Sequence, residues 1–257
     1  MLSTQFAIDV RLKREKVPSF GEYPFCLPAV QPLETLKLHP KVTFFVGENG
    51  SGKSTLLEAI AIGLGFNAEG GTRNFRFDTR ASHSTLADYL TIGKGLRRPK
   101  DGFFLRAESF FNVATEIERL DSGGGGARVI DSYGGRSLHE QSHGESFMAL
   151  MLNRFGGHGL YLLDEPEAAL SPQRQLAALA RIHDLVNAES QFIIATHSPI
   201  LMAYPEATIY EFTREGVAQV EYRDTEHYRV MHDFMANPER MLRVLTAPDD
   251  SGDAAER

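Results

Sequence analysis

Cysteine is almost missing: Cys26 is the only one in 257 residues. A lone thiol excludes an intramolecular disulfide framework and any multi-cysteine zinc site, and it fits a reducing compartment. No apolar run approaches the roughly 20 residues that a bilayer-crossing helix needs. The stretch MLSTQFAIDVRLKREK places its charges after its apolar residues, the reverse of a secretory signal. These absences predict a soluble, cytoplasmic chain with no membrane segment of its own. Basic charge is also scarce. Lys and Arg number 27 against 34 Asp and Glu, a formal net charge of −7, so general phosphate neutralisation gives nucleic acid no help. Two local basic clusters remain, Arg11, Lys13, Arg14 and Lys16, and Lys94, Arg97, Arg98 and Lys100. Solvated charge is the commoner use of such runs. Internal repeats and sustained heptads are lacking too, which excludes a long coiled coil.

What is present is ordinary globular material, 42% hydrophobic and 24% charged, enough to bury a core without staples. Phe6 to Lys13 alternates as a half-buried strand does. Pro18, Pro24, Pro28 and Pro32 then keep the chain short-ranged or extended. Val42 to Val46 is a compact β-branched and aromatic run suited to a buried strand. Leu56, Leu57, Ile60, Ala61 and Leu64 follow at helical spacing. Helices are predicted over Ser84 to Ile92, over Ser109 to Leu120, and through Phe147, Leu150, Met151 and Phe155. GLYLLDE reads as a buried strand. Ser171 caps, and Pro172 begins, a helix whose apolar stripe is Leu176, Leu179, Ile182 or His183, and Val186. QFIIATHSP is another strand. Shorter ones are expected at Thr208 to Phe212 and Val217 to Tyr222, then a polar helical tail. Asp121 to Gly126 reads as a flexible linker, and 248–257 as a disordered tail. Alternating strands and helices predict an α/β fold with a mostly parallel sheet flanked by helices.

Two stretches carry chemistry. GENGSGKST matches G-x-x-x-x-G-K-[ST] between a predicted strand and a predicted helix. Its glycines let backbone N–H groups turn around a phosphate, and the helix start adds its dipole. Lys53 reaches the terminal phosphates and the Ser54 hydroxyl binds Mg²⁺. Four apolar residues then run into Asp164-Glu165. In P-loop NTPases an Asp at such a strand end holds Mg²⁺, and a neighbouring Glu can orient the attacking water.

A third stretch, SLHEQSHGESF, is ambiguous. His139, Glu140 and His143 spell the zinc-protease pattern H-E-x-x-H, which works only when both histidines share one helix face. Ser142-x-x-Glu145 is a capping box, which starts the helix at Ser142 and leaves His139 in the preceding loop. A helix start of this kind can seat a phosphate.

Together these blocks resemble the ABC-type ATPases, in particular the soluble branch that includes structural-maintenance-of-chromosomes and RecF-like AAA/ABC proteins. GENGSGKS, a Q-loop region in LRAESFFN, QSHGE at Gln141 to Glu145, LYLLDEPEAALSP and IIATHSP carry the match, from about Val42 to Pro199. The resemblance implies a P-loop NTPase fold over 1–247, with a small helical subdomain at roughly 67–157 carrying the signature. It implies ATP and Mg²⁺ as cofactors and an ATP-dependent head-to-tail homodimer. Gly47, Glu48, Asn49, Gly50, Ser51, Gly52, Lys53, Ser54 and Thr55 would bind the phosphates. Ser54 and Asp164 would support Mg²⁺, with Glu108 standing where the Q-loop glutamine belongs. Glu165, His197 and Lys53 would be catalytic. Ala169 to Pro172 would form the D-loop, and Ser142, Gly144 and Glu145 would meet the partner's γ-phosphate. His143 replaces a usual glycine. About 30 residues separate Glu108 from Ser142, far too few for a long arm at about 1.5 Å per helical residue. Nucleic-acid maintenance or defence, with an unknown protein partner, is the expected setting. A transporter's nucleotide-binding subunit and a low-turnover nucleotide sensor are the alternatives.

Overall fold

In the computed structural model, which describes residues 5–73, 84–106, 110–122 and 128–247, the apolar runs become the middle of a six-stranded sheet. The strands are β1 (Ala7–Leu12), β2 (Thr35–Lys37), β3 (Val42–Gly47), β4 (Leu90–Lys94), β5 (Asp101–Arg106), β6 (Gly159–Asp164), β7 (Gln191–Ala195), β8 (Thr208–Thr213) and β9 (Gly216–Val220). The helices are α1 (Lys53–Gly63), α2 (Phe110–Ser122), α3 (His143–Ala149), α4 (Pro172–Asn187), α5 (Pro199–Met202), α6 (Glu226–Ala236) and α7 (Pro238–Leu245). The large sheet runs β5-β6-β7-β3-β8-β9, parallel except for the β8–β9 hairpin.

Strands β3, β6 and β7 are buried at every position, as strands covered on both faces must be. Their side chains alternate between two cores. Phe44, Val46, Tyr161, Leu163 and Ile194 join α2, α3 and α4 on one face. Phe45, Leu160, Leu162 and Ile193 join α1 on the other. A small antiparallel sheet, β2-β1-β4, lies on the α1 side. Parallel strands bring their C-terminal ends to one edge, where sites form in such sheets. Here that edge holds Gly47, Asp164 and Ala195.

Several expectations are corrected. Ser84 to Ile92 is not a helix: a 3-10 turn over Thr85–Tyr89 passes into β4, because Ile92 pairs with Val10 across the small sheet. The helix expected through Phe155 ends as α3 at Ala149, and Leu150–Arg154 widens into a π turn closed by Phe155 N–H on Leu150 O. On α4 the buried stripe is Ala178, Ile182, Leu185 and Val186, and Leu176 is 57% exposed. Within 67–157, β4 and β5 belong to the two sheets, and among the described residues α2 and α3 lie between Phe110 and Arg154. Most of the Asp121 to Gly126 linker and the 248–257 tail lie outside the described residues. The tail helices α6 and α7 bury no residue completely. No helix among the described residues is long and apolar enough to cross a membrane.

Candidate functional site

The glycine loop follows the expected strand–turn–helix path. Gly52 caps α1 at φ +97°, a left-handed backbone that favours glycine. A Cβ there would also press on Leu27 and Ala29 at 3.1 Å. Lys53 folds over the loop, its ammonium donating to Gly47 O at 2.7 Å and Glu48 O at 2.8 Å. Burial pulls its pKa down, opposed by the charges of Glu165, Asp164 and Glu167. A cleft of about 560 Å³ opens above Gly47 to Ser51.

The second carboxylate block meets this loop. Ser54 Oγ donates to Asp164 Oδ1 at 2.8 Å, and the Asp164 residue is buried. These oxygens are of the hard type that Mg²⁺ takes, one or two protein donors being its usual share beside phosphates. Glu165 turns out of the strand at φ +48°, a left-handed conformation that costs a non-glycine residue on the order of 1 kcal/mol. That turn leaves its carboxylate 40% exposed and 3.6 Å from His197 Nε2.

His197 follows β7. Its backbone N–H donates to Glu167 at 2.5 Å. Burial raises the Glu167 carboxyl above the usual carboxylate range, against the His197 and Thr196 hydrogen bonds. The ring Nδ1 lies 2.9 Å from His227 Nε2 on α6. Burial, and then the nearby Lys53 and His227, push the His197 pKa down to about 4, so its imidazole is neutral at physiological pH. Sequence reasoning missed Glu167, Thr196 and His227. Glu167 and Thr196 lie inside blocks already singled out, but His227 sits in the polar tail with no motif around it.

The ambiguous stretch resolves as a helix start. Ser142 caps α3, and Glu145 closes the capping box on both the Ser142 N–H (3.0 Å) and its hydroxyl (2.7 Å). His139 sits on the preceding 3-10 turn, Leu138–Glu140, with Nε2 3.2 Å from Thr115 Oγ1 on α2. The two histidines therefore share no helix face, and among the described residues no three His, Cys, Asp or Glu converge as metal ligands. Gly144 is buried, and a Cβ there would lie 2.6 Å from Ala169 O and 2.5 Å from Arg174 Nη1. The start of α3 thus packs on the Ala169–Arg174 segment of its own chain. His143 lines a cavity of about 350 Å³ together with Glu165, Pro166 and Ala169. Glu108 lies outside the described residues.

Other candidates are engaged elsewhere. Of the basic clusters, Arg11 pairs with Asp9 and Lys13 donates to Asp88 O. Arg14 donates to Gln31 O and Leu33 O over the Phe20 ring, and Arg97 pairs with Glu189.

Two family models match the chain. One, described as "AAA domain", covers residues 24–132. The other, described as "AAA domain, putative AbiEii toxin, Type IV TA system", covers residues 110–203. No curated protein matches significantly. Among solved structures, an ATP-binding cassette of an ABC transporter superposes with a TM-score of 0.51 at 16% identity, over 90% of this chain and 96% of that one. A "putative metal-chelate type ABC transporter" gives 0.49 at 18%, over 77% and 80%. A "putative Cobalt transport ATP-binding protein" gives 0.41 at 15%, over 86% and 80%. At such identities the likeness is one of fold.

Proposed function

We propose that this chain is a P-loop ATPase of the ABC and AAA class, as its two AAA-domain matches support, that it binds Mg²⁺-ATP between two copies of itself, head to tail, and that hydrolysis switches a conformation or a partner. One observation carries the reading. Ser54, Asp164, Glu165 and His197 come from three separate segments and meet at the end of one glycine loop. Gly47 to Thr55 cradle the phosphates, and Lys53 exchanges its two carbonyl partners for phosphate oxygens. Ser54 and Asp164 hold the ion, with Glu108 as a further oxygen donor; bound Mg²⁺ supplies neutralisation of the developing phosphate charge. Glu165 orients the attacking water and takes its proton. His197 presents Nε2 to the γ-phosphate. Ser142, Gly144 and Glu145 cap the γ-phosphate held by the second copy, so the Ser142 hydroxyl must leave Glu145 as the dimer closes.

Glu165→Gln removes the base and keeps the shape. With ATP, this variant is expected to elute as a stable dimer in size-exclusion chromatography. Identical monomeric profiles with and without ATP would reject the sandwich. The work driven is read as nucleic-acid maintenance or defence, a setting that the toxin description of the model over 110–203 favours. DNA-stimulated turnover is the expected sign. Co-purification with a permease would instead mark a transporter subunit, the reading that the fold likeness keeps open.

A further inference from the structure

We propose that His227, on the tail helix α6, is a positioning residue that sets the tautomer and orientation of His197 for the γ-phosphate. The inference rests on the ATPase reading above and deepens it. His197 Nδ1 and His227 Nε2 are 2.9 Å apart, a hydrogen bond that needs one proton between two ring nitrogens. Two arrangements of neutral rings satisfy it.

In the first, His197 Nδ1–H donates to His227. His197 Nε2 then carries a bare lone pair toward the Glu165 carboxylate 3.6 Å away. The His227 proton moves to Nδ1, which is buried without a partner among the described residues. In the second, His227 Nε2–H donates to His197 Nδ1. His197 then carries its proton on Nε2, facing Glu165. The unpartnered His227 Nδ1 becomes an acceptor, a lesser fault than an orphaned donor.

Each arrangement leaves one donor and one acceptor unpaired, since His197 Nε2 also has no hydrogen-bond partner among the described residues. The Glu165 carboxylate 3.6 Å away decides for the second, because it attracts an N–H and repels a bare lone pair, and the second is the one that function requires. A γ-phosphate offers only acceptors, so a neutral His197 can meet it only through Nε2–H. Burial lowers the pKa of both rings, consistent with two neutral imidazoles sharing one bond.

The position of His227 is itself held. Thr225 is fully buried and caps α6, and the Glu226 N–H donates to Glu211 on β8 at 2.8 Å. Backbone contacts alone fix where His197 begins, through Glu167. They leave its ring free to rotate about χ1 and χ2, and His227 removes that freedom. The contact also makes α6 part of the nucleotide site.

The test is ¹⁵N spectroscopy of the histidine rings in the nucleotide-free protein, with steady-state ATP turnover. Wild type is expected to show His197 protonated at Nε2, and a spectrum showing the Nδ1–H form overturns the proposal. His227→Leu is expected to mix the His197 tautomers and to lower kcat about tenfold, the lower end of what loss of an outer-shell partner costs a working histidine. ATP affinity should stay within about twofold, because the phosphate loop is untouched. His227→Gln, whose amide N–H can donate in place of Nε2–H, is expected to recover most of the rate. His227→Leu added to His197→Ala should lower the rate no further. An unchanged His197 tautomer or an unchanged kcat in His227→Leu overturns the idea. Should wild type turn over no ATP, the ATPase reading fails, and the ring spectra still decide the positioning.

Discussion

Gly144 is tied to its place by atoms of its own chain. Ala169 O and Arg174 leave no room for a methyl group, so Gly144→Ala must push α3 away from the Ala169–Arg174 segment. Overpacking of this kind costs about 1–3 kcal/mol. A lowered melting temperature together with weakened ATP-driven dimerisation is expected, and a variant as stable as wild type would show that the two segments part freely. His143 has no such restraint, since it lines an open cavity beside Glu165. The histidine pair predicts a pH effect whose sign can be worked out. The folded pKa of His197 is about 4, against an ordinary value of about 6.5 in the unfolded chain. Above the unfolded value both states are neutral and the difference is silent. As pH falls the unfolded chain takes up the proton first, so stability is lost between those two values. His227 acts in the same direction. Glu167, whose pKa is raised by burial, acts in the opposite one and offsets part of the loss. His197→Gln removes one titrating ring. Its melting temperature should therefore fall less than that of wild type between pH 7 and pH 5, without nucleotide. Parallel falls would place the titration elsewhere.

At the scale of elements, one carboxylate organises the edge of the large sheet. Asp101 begins β5 and accepts both contacts from Arg154 Nη1 (2.8 and 2.9 Å) and the Tyr161 hydroxyl (2.8 Å). It also accepts the N–H groups of Gly102 and Gly156. The π turn is thereby fastened to β5 and β6 at once. Arg154→Met removes the cation and leaves the carboxylate mostly buried, its side chain 18% exposed. The expected loss is about 2–3 kcal/mol, somewhat below the cost of breaking a fully buried pair. Urea unfolding measures it, and ATP affinity should hold, because Asp101 lies at the strand end opposite the phosphate loop. This cluster was invisible in the sequence, since its members are 53 and 60 positions apart. The phosphate loop was legible because strand, turn and helix are consecutive and each has its own local signature. The same holds for the Ser142 and Ser171 caps. Ser84 to Ile92 misled because its strand is made by pairing with β1, about 80 residues earlier, which overrides local helical spacing. The α4 stripe was right in part: Ile182 and Val186 are buried as its period predicts, but Leu176 is 57% exposed, and Ala178 and Leu185 complete the buried face.

The whole molecule is two sheets that must be held in one relation, because the small sheet backs α1 and so the phosphate loop. Apolar packing supplies most of this, through Val10, Leu12 and Leu36 against Leu57, Ile60 and Leu64. A buried polar joint adds to it, beside the Tyr210 hydroxyl of β8, which donates to Lys37 O of β2 at 2.8 Å. Gln191 begins β7 of the large sheet and is 1% exposed. Its Oε1 accepts from the N–H groups of Phe6 and Ala7 at 3.0 and 2.9 Å. Its Nε2 donates to Ala7 O and His39 O at 2.7 and 2.9 Å. A single amide thus satisfies four backbone groups, three of them where β1 bulges between Ala7 and Asp9, a place where the strand ladder cannot satisfy them itself. Gln191→Leu keeps the volume and strands all four. With each buried group left unpaired costing about 1–3 kcal/mol, and some of them relaxing toward neighbours, a loss of about 3 kcal/mol or more is expected. Gln191→Glu keeps the acceptor for the two N–H groups but sets a carboxylate against two carbonyls, so it should not rescue stability at neutral pH. Both variants are read by chemical denaturation without nucleotide. If Gln191→Leu unfolds at the wild-type midpoint, the other contacts between the sheets suffice, and the amide is a passenger at the seam.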